Sequence, residues 1–505
     1  MSSMIQGDVL IKGGLLVNGE GITRSDILIS DGKVLELGPD LGRERANRVI
    51  DAGGKYVLPG GIDCHAHPIF GDKIDTYSLC AAYGGVTTVH AFIGSETHRH
   101  EHFQNTWGIR EYNPDIVKGF IEFAEETSYT DFAIHGLITT RDKDDLDRVI
   151  PDLIKLGAIS FKVFMTWNPF VTDTDAAYSN LMAIPDDLLM RLMHTSANEG
   201  GMVMIHAENG TCKAYLEDQF KGCGKTSPEY HLKSAPAILE AEAVNRAATM
   251  ALVTGSPLYP VHLSSQEVVP VLNHYKQKGL KLWGETCPHY LTLTDDMMLK
   301  HGYKYKVAPP LRYDQDVDAM WKGVTDGSLS TIGSDFTGYT KNLKIEGSMT
   351  GKVIGDAKEP DPDNLNIFQV AAGLSTLEFM MPVVWTHGVN TGKITLPRFV
   401  QLFSENPAKL FGIWPKKGTI QPGSDADVVL WDPSLMQTVE KEHGISDLNT
   451  FEGMELLGMP TMTMVRGQVV IENGKVVGKQ GRAKYAPGNP DRTSYAQHGP
   501  ATDSV

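Results

Sequence analysis

Residues 59–68 read PGGIDCHAHP, and the two histidines at the end of this apolar run decide how the rest of the chain is read. Strand side chains repeat every second residue, so His65 and His67 project from one face. The same alternation predicts Cys64 turned away as a packed core thiol. It places Asp63 on the His65 face as a supporting carboxylate. Four more polar residues sit in or just after short apolar runs: Lys162 in AISFKVFM, His206 in MVMIHAEN, His262 in LYPVHLSS and Asp335 in STIGSDF. Each run suits a buried strand, and the intervals are long enough for helices between them. The span from His65 to Asp335 matches the roughly 250 residues of an eight-stranded parallel barrel, whose chemistry gathers at the C-terminal strand ends.

Imidazole and carboxylate are ligands for divalent metals such as zinc, whereas an ammonium is not. A buried lysine with a lowered pKa can, however, take up carbon dioxide as a carbamate, which is a carboxylate in shape and charge and can bridge two metals. Alone, Lys162 reads as a lysine snorkelling from a strand end, and His206 or His262 as a hydrogen-bonded core histidine. Together, in the order HxH, K, H, H, D, the six form the ligand set of a two-metal hydrolytic site.

The formal net charge of -16 argues against nucleic acid or an anionic membrane as a partner. Apolar residues at 41% and charged residues at 21% describe a globular chain. No apolar run reaches the roughly 18 residues of a membrane span, and MSSMIQGDVLIKGG lacks the features of a signal peptide, so a cytoplasmic location is expected. Five cysteines without a CxxC pair predict no disulfide framework.

Both ends are β-rich. ILISDGKVLELG turns at Asp31-Gly32, and TMTMVRGQVVIENGKVVG turns at Asn473-Gly474. The middle alternates apolar strands with helical stretches such as DLLMRLMHTSANEG, where Leu188, Leu189, Leu192 and Met193 share a face. The predicted fold class is therefore α/β, with a (β/α)8 TIM-like barrel inserted into a small β-sandwich built from both termini. The expected division is sandwich 1–57, barrel 58–413, sandwich 414–481 and an extended tail 482–505. AKEPDPDNLN (357–366) reads as a loop over the site. His98, Glu101, His100 and His102 in THRHEH read as a solvated loop in preference to an accessory metal site.

The motifs DAGGKYVLPGGIDCHAHP, AAYGGVTTV, SFKVFM, IHAENG, HLSS, ETCPHYL, APPLR, SDF, FSENPAKLFG and KKGTIQPGSDADVVLWDP resemble the dihydropyrimidinase and hydantoinase branch of the amidohydrolase superfamily over nearly the whole chain. That resemblance implies two divalent metal ions, zinc by expectation. His65, His67 and Asp335 would hold the inner one and His206 and His262 the outer one, with Lys162 bridging as N6-carboxylysine. A metal-bridging hydroxide would then open a cyclic amide or ureide, with Asp335 as general base. A dihydropyrimidine or 5-substituted hydantoin would give an N-carbamoyl amino acid. The resemblance also implies a homotetramer or homodimer.

The chain departs from the branch where substrate would sit. Trp167 stands where a tyrosine is usual, Ala308 where a serine is, and Phe336 follows Asp335 in place of histidine. His289 brings ETCPHYL nearer to allantoinase-like sequences. Trp167, Ala308, Phe336 and His289 are thus the candidate substrate contacts, and an allantoinase-like or other cyclic imide hydrolase is the alternative reading. A non-catalytic scaffold related to dihydropyrimidinase is disfavoured because all six ligand positions are filled. A mononuclear deaminase is disfavoured by Lys162.

Overall fold

Eight short parallel strands follow one another along the middle of the chain: β1 (Gly61–Ala66), β2 (Val86–Gly94), β3 (Asp131–Leu137), β4 (Ser160–Phe164), β5 (Met202–His206), β6 (Leu258–Pro260), β7 (Gly284–Thr286) and β8 (Leu329–Ile332). The structure, a computed structural model, describes residues 6–67, 72–94, 114–168, 181–345 and 365–491. Strands β1 to β6 form one sheet in sequence order, and β7 pairs with β8. The β6–β7 seam is joined by a parallel bridge between Leu258 and Leu282 and by Leu263 N–H donating to Glu285 O at 2.7 Å. On the other side, Asp335 N–H donates to His65 O at 2.9 Å, and His67 N–H to Phe336 O at 3.0 Å. These contacts close the barrel.

Strand alternation divides its packing. On β5, Val203 and Ile205 face outward into the large core shared with the helices, while Met202 and Met204 join Cys64, Phe92, Leu137, Tyr259 and Val261 inside the barrel. His206 follows the inward parity. The helix expected from the Leu188 periodicity spans Asp186–Asn198 and buries Leu188, Leu189, Leu192 and Met193. No helix among the described residues is long and apolar enough to cross a membrane.

The ends pair as their β-rich sequences imply. Tyr56–Pro59 runs antiparallel to the start of Val428–Thr438 within a seven-stranded sheet, and a four-stranded sheet carries Gly7–Lys12, Asp26–Ser30, Lys33–Gly38 and Ala46–Asp51. Val9, Ile11, Ile29, Val57, Val428 and Met464 belong to the apolar layer between the two sheets. Both expected hairpins form: Ser30 pairs with Lys33 across Asp31 (φ 50) and Gly32 (φ 73), and Glu472 pairs with Lys475 across Asn473 (φ 50) and Gly474 (φ 70). Positive φ at both central positions is what a two-residue type I′ turn demands, and Asp-Gly and Asn-Gly tolerate it best.

The barrel and sandwich are tied by a buried cation. Lys417 Nζ lies 2.5 Å from Asp131 at the start of β3, 2.7 Å from Asp427 and 2.9 Å from Asp425. Residues 482–491 lie against the chain's own barrel: Ala486 N–H donates to Phe132 O at 2.8 Å, and the Tyr485 hydroxyl donates to Leu156 O at 2.6 Å.

Candidate metal centre and catalytic site

The six sequence-predicted ligands come together at the C-terminal end of the barrel. His65 Nε2 and His67 Nε2 lie 3.3 and 3.2 Å from Asp335 Oδ1. Lys162 Nζ lies 3.2 Å from His65 Nε2. His206 Nδ1 and His262 Nε2 face each other at 2.9 Å, and the His65 and His262 rings stack with centroids 5.2 Å apart. Bonds of 2.0–2.1 Å to a tetrahedral ion place neighbouring donors about 3.3 Å apart, which is the scale of these separations. Among the described residues, His65, His67 and Asp335 form a compact donor group able to hold a metal ion. The donor types and spacing fit a metal centre.

Electrostatics favour the forms a metal needs. Burial pushes all four histidines below their ordinary range, so their imidazoles are neutral. Burial also brings Lys162 down to about 8, and its nitrogen lies 5.2 and 5.1 Å from the Phe92 and Phe164 ring centres. His262 (φ 41) and Asp335 (φ 48) both adopt the left-handed backbone region, a strain of about 1–3 kcal/mol each that the surrounding contacts hold in place.

Three carboxylates orient this set. Glu208 Oε2 accepts from His206 Nε2 at 2.7 Å, from Thr166 Oγ1 at 2.8 Å and from Lys213 Nζ at 3.1 Å, which leaves the lone pair of His206 Nδ1 directed toward His262. Glu285 Oε1 accepts from His65 Nδ1 at 2.6 Å, with the same effect on His65 Nε2. Asp63 takes the supporting place expected of it: it accepts from Ser334 N at 2.9 Å and Ser334 Oγ at 2.6 Å, immediately before Asp335. Burial lifts Asp63 to about 6. Glu208 and Glu285 were not among the expected residues, although Glu208 stands two residues after His206, the same spacing that separates Asp63 from His65.

Cys64 corrects the simple alternation. It is a fully buried core thiol, as expected, but it faces inward: its Sγ lies 3.3 Å from both Tyr259 Oη and Glu285 Oε2. The pairing of β1 with β2 shifts register between Asp63 and Ala66, which breaks the strict period of two.

The four candidate substrate contacts differ in placement. Trp167 is half-buried and packs against the cluster inside the barrel; Ala308 is half-buried. His289 is fully buried, and among the described residues neither ring nitrogen has a hydrogen-bond partner; burial brings it down to about 4. Phe336 is fully buried with its ring 5.6 Å from Tyr77 in the outer core, and its carbonyl accepts from His67 N. The THRHEH cluster with His98, His100, Glu101 and His102 lies outside the described residues, as does nearly all of the 357–366 stretch.

Gly210 supports the segment carrying Trp167. A Cβ there would lie 2.4 Å from Trp167 O and 2.5 Å from Thr166 C, both backbone atoms that cannot swing aside. Gly210→Ala is therefore expected to shift Trp167 and lower kcat/KM by about 10²-fold, with metal content retained. Steady-state kinetics beside metal analysis checks this, and an unchanged kcat/KM would show that the segment's position does not matter.

A barrel with its acid, imidazole and lysine groups gathered at one mouth, flanked by a two-ended sandwich, is the build of a metal-assisted hydrolase. The chain belongs to the amidohydrolase family, whose model matches residues 56–470. Within it the chain falls in the branch of the hydantoinases and dihydropyrimidinases, hydrolases that act on cyclic amides. It is 34% identical over 495 residues to the D-hydantoinase of Ralstonia pickettii, covering 95% of this chain and 98% of that one. To the D-hydantoinase of Geobacillus stearothermophilus it is 35% identical over 492 residues, covering 94% and 95%. The solved L-hydantoinase (dihydropyrimidinase) of Arthrobacter aurescens superposes with a TM-score of 0.83 at 31% identity, covering 95% of this chain and 100% of that one.

Proposed function

We propose that this chain opens a dihydropyrimidine or 5-substituted hydantoin ring by hydrolysis, giving an N-carbamoyl amino acid. The observation that carries the reading is the convergence of His65, His67, Lys162, His206, His262 and Asp335 at one barrel mouth. Relatives named D-hydantoinase, L-hydantoinase and dihydropyrimidinase support the choice of ring.

In this reading His65, His67 and Asp335 would hold one divalent ion, zinc, and His206 and His262 would hold another, with Lys162 as the ligand they would share. When bound, the two ions would acidify a shared water and polarise the ring carbonyl. The neutral Lys162 amine adds to carbon dioxide, forming an N–C bond and releasing one proton, to give the carbamate. Asp335 takes the proton of the attacking water and returns it to the ring nitrogen as the C–N bond breaks. Trp167, His289 and the Ala308 segment face the ring, His289 as a neutral imidazole able to donate one hydrogen bond and accept another. A cytoplasmic enzyme working as a homotetramer or homodimer is the matching setting, supported by resemblance to the branch.

The test is a hydrolysis panel of dihydrouracil, phenylhydantoin, allantoin, dihydroorotate and simple imides with zinc-loaded protein. Ring opening of dihydrouracil or phenylhydantoin is the expected result. Opening of allantoin alone would overturn the choice of ring, and His289 in its ETCPHYL setting is the feature that favours that second reading.

A further inference from the structure

The carboxylate of Glu285 touches both halves of the site. Its Oε1 accepts from His65 Nδ1 at 2.6 Å and also from the backbone N–H of His262 at 3.1 Å. His65 belongs to the inner ligand group and His262 to the outer pair. Its Oε2 accepts from the Tyr259 hydroxyl at 2.8 Å and lies 3.3 Å from Cys64 Sγ. Tyr259 Oη is in turn 2.6 Å from Thr331 Oγ1 on β8. One side chain on β7 thus spans β1, β6 and, through Tyr259, β8.

Space has been left for it. A Cβ on Gly333 would lie 2.7 Å from Glu285 Oε2 and 2.9 Å from His65 Cβ, so glycine there admits the carboxylate beside the histidine. The bond to His262 N falls on a residue whose backbone is left-handed (φ 41), a conformation that needs external contacts to persist. Glu208 differs: among these ligands it reaches His206 alone, and Lys213 neutralises it.

We infer that Glu285 is a positioning residue that couples the two metal subsites, fixing the His65 tautomer with one lone pair and the His262 backbone with another. This rests on the two-metal reading above. A carboxylate that merely fills hydrogen bonds in the barrel core would leave the subsites independent. With coupling, loss of Glu285 weakens both together, whereas loss of Glu208 weakens the outer one only.

The experiment titrates zinc into metal-free full-length protein with bicarbonate present, and reads metal per chain and the affinity of each equivalent. Glu285→Ala is expected to weaken both equivalents by 10–100-fold, on the scale of lost partners to ligating histidines. Glu208→Ala is expected to weaken one. Glu285→Gln keeps an oxygen for His65 and His262 and is expected to restore two equivalents, with KM near that of the parent and kcat reduced. If Glu285→Ala fails to melt cooperatively, Glu285→Asp decides, since the shorter side chain keeps the carboxylate but cannot reach His65 Nδ1 and the His262 N–H together: a joint weakening of both equivalents supports the coupling and unchanged affinities overturn it. Glu285→Ala that keeps both equivalents at parental affinity, or loses one alone, overturns the coupling and leaves the two-metal reading standing. A parent chain that binds no zinc overturns both.

Discussion

Lys162→Ala is expected to lose bound metal and to lower kcat/KM by about 10³-fold or more, a barrier increase of about 4 kcal/mol, while the barrel stays folded. Lys162 is completely buried, lies 3.2 Å from His65 Nε2 and is held near pKa 8 by burial. A charged ammonium there would repel two cations. In the proposed two-metal reading a carbamate would attract both, so the truncation would remove that bridge and its charge at once. The fold is expected to survive because a lone buried lysine costs stability. Its ordinary value of 10.5 is the unfolded reference, and the folded value is depressed to about 8. Between those values the unfolded chain binds more protons, so the metal-free parent gains stability as pH rises from about 8 to 10.5, by about 3 kcal/mol at most. Lys162→Ala should lack that rise. Metal analysis, turnover and melting across this pH range check the three statements, and a 13C signal from labelled bicarbonate bound to the parent but absent from the variant checks the carbamate. Two retained metal ions and parental turnover in the variant would remove Lys162 from the site.

Lys417→Met is expected to destabilise the chain by about 3–5 kcal/mol without touching the site's ligands, because it strands three buried aspartates. Lys417 is 1% exposed and sits among Asp131, Asp425 and Asp427, themselves between 1% and 4% exposed. Burial opposes charging this lysine, but Asp427 and Asp131 outweigh it and push it above its ordinary range. Arg466 (2.9 Å from Asp131) and Lys33 (2.5 Å from Asp425) remain at the edge and cannot replace a cation at the centre. Burial lifts Asp427 to about 6 in spite of Lys417, so in the parent that strain is relieved as pH falls from about 6 to 3.8, while Asp425 shifts the other way. Burial works against ionised Asp425, yet Lys417 and then Lys33 hold it below 3.8, so the parent keeps that stabilisation above this value and loses it as pH falls through the folded value. In the variant the aspartates lack their cation and their pKa values rise, so protonation relieves them. The gap between parent and variant should therefore be widest near neutral pH and narrow toward pH 4. Chemical denaturation at both pH values measures it, and a gap independent of pH would show that packing, not charge, is what Lys417 supplies.

The β-rich ends and the barrel between them were legible because strand runs, helical periodicity and the Asp31-Gly32 and Asn473-Gly474 turns are local signals. The candidate ligands were legible for a related reason: histidine, lysine and aspartate at strand ends contradict their apolar surroundings. Glu285 carries the same contradiction but was hidden, since its importance lies in reaching His65, 220 residues away, and His262. Cys64 was misplaced because alternation was extended through a register shift that only the pairing of β1 with β2 reveals.

By itself the sequence determined the alternation of strand and helix, the two-ended sandwich and the identity of six polar residues poised at strand ends, since all of these follow from residue type and short-range spacing. Only the tertiary structure decided which atom of each residue faces which partner: that His65 and His206 present opposite ring nitrogens, that Glu208 and Glu285 enforce this, and that His262 and Asp335 sit in strained backbone. The physical reason is distance along the chain. Tautomer and orientation are set by hydrogen bonds that exist only once barrel closure has brought remote segments within 3 Å or so of one another.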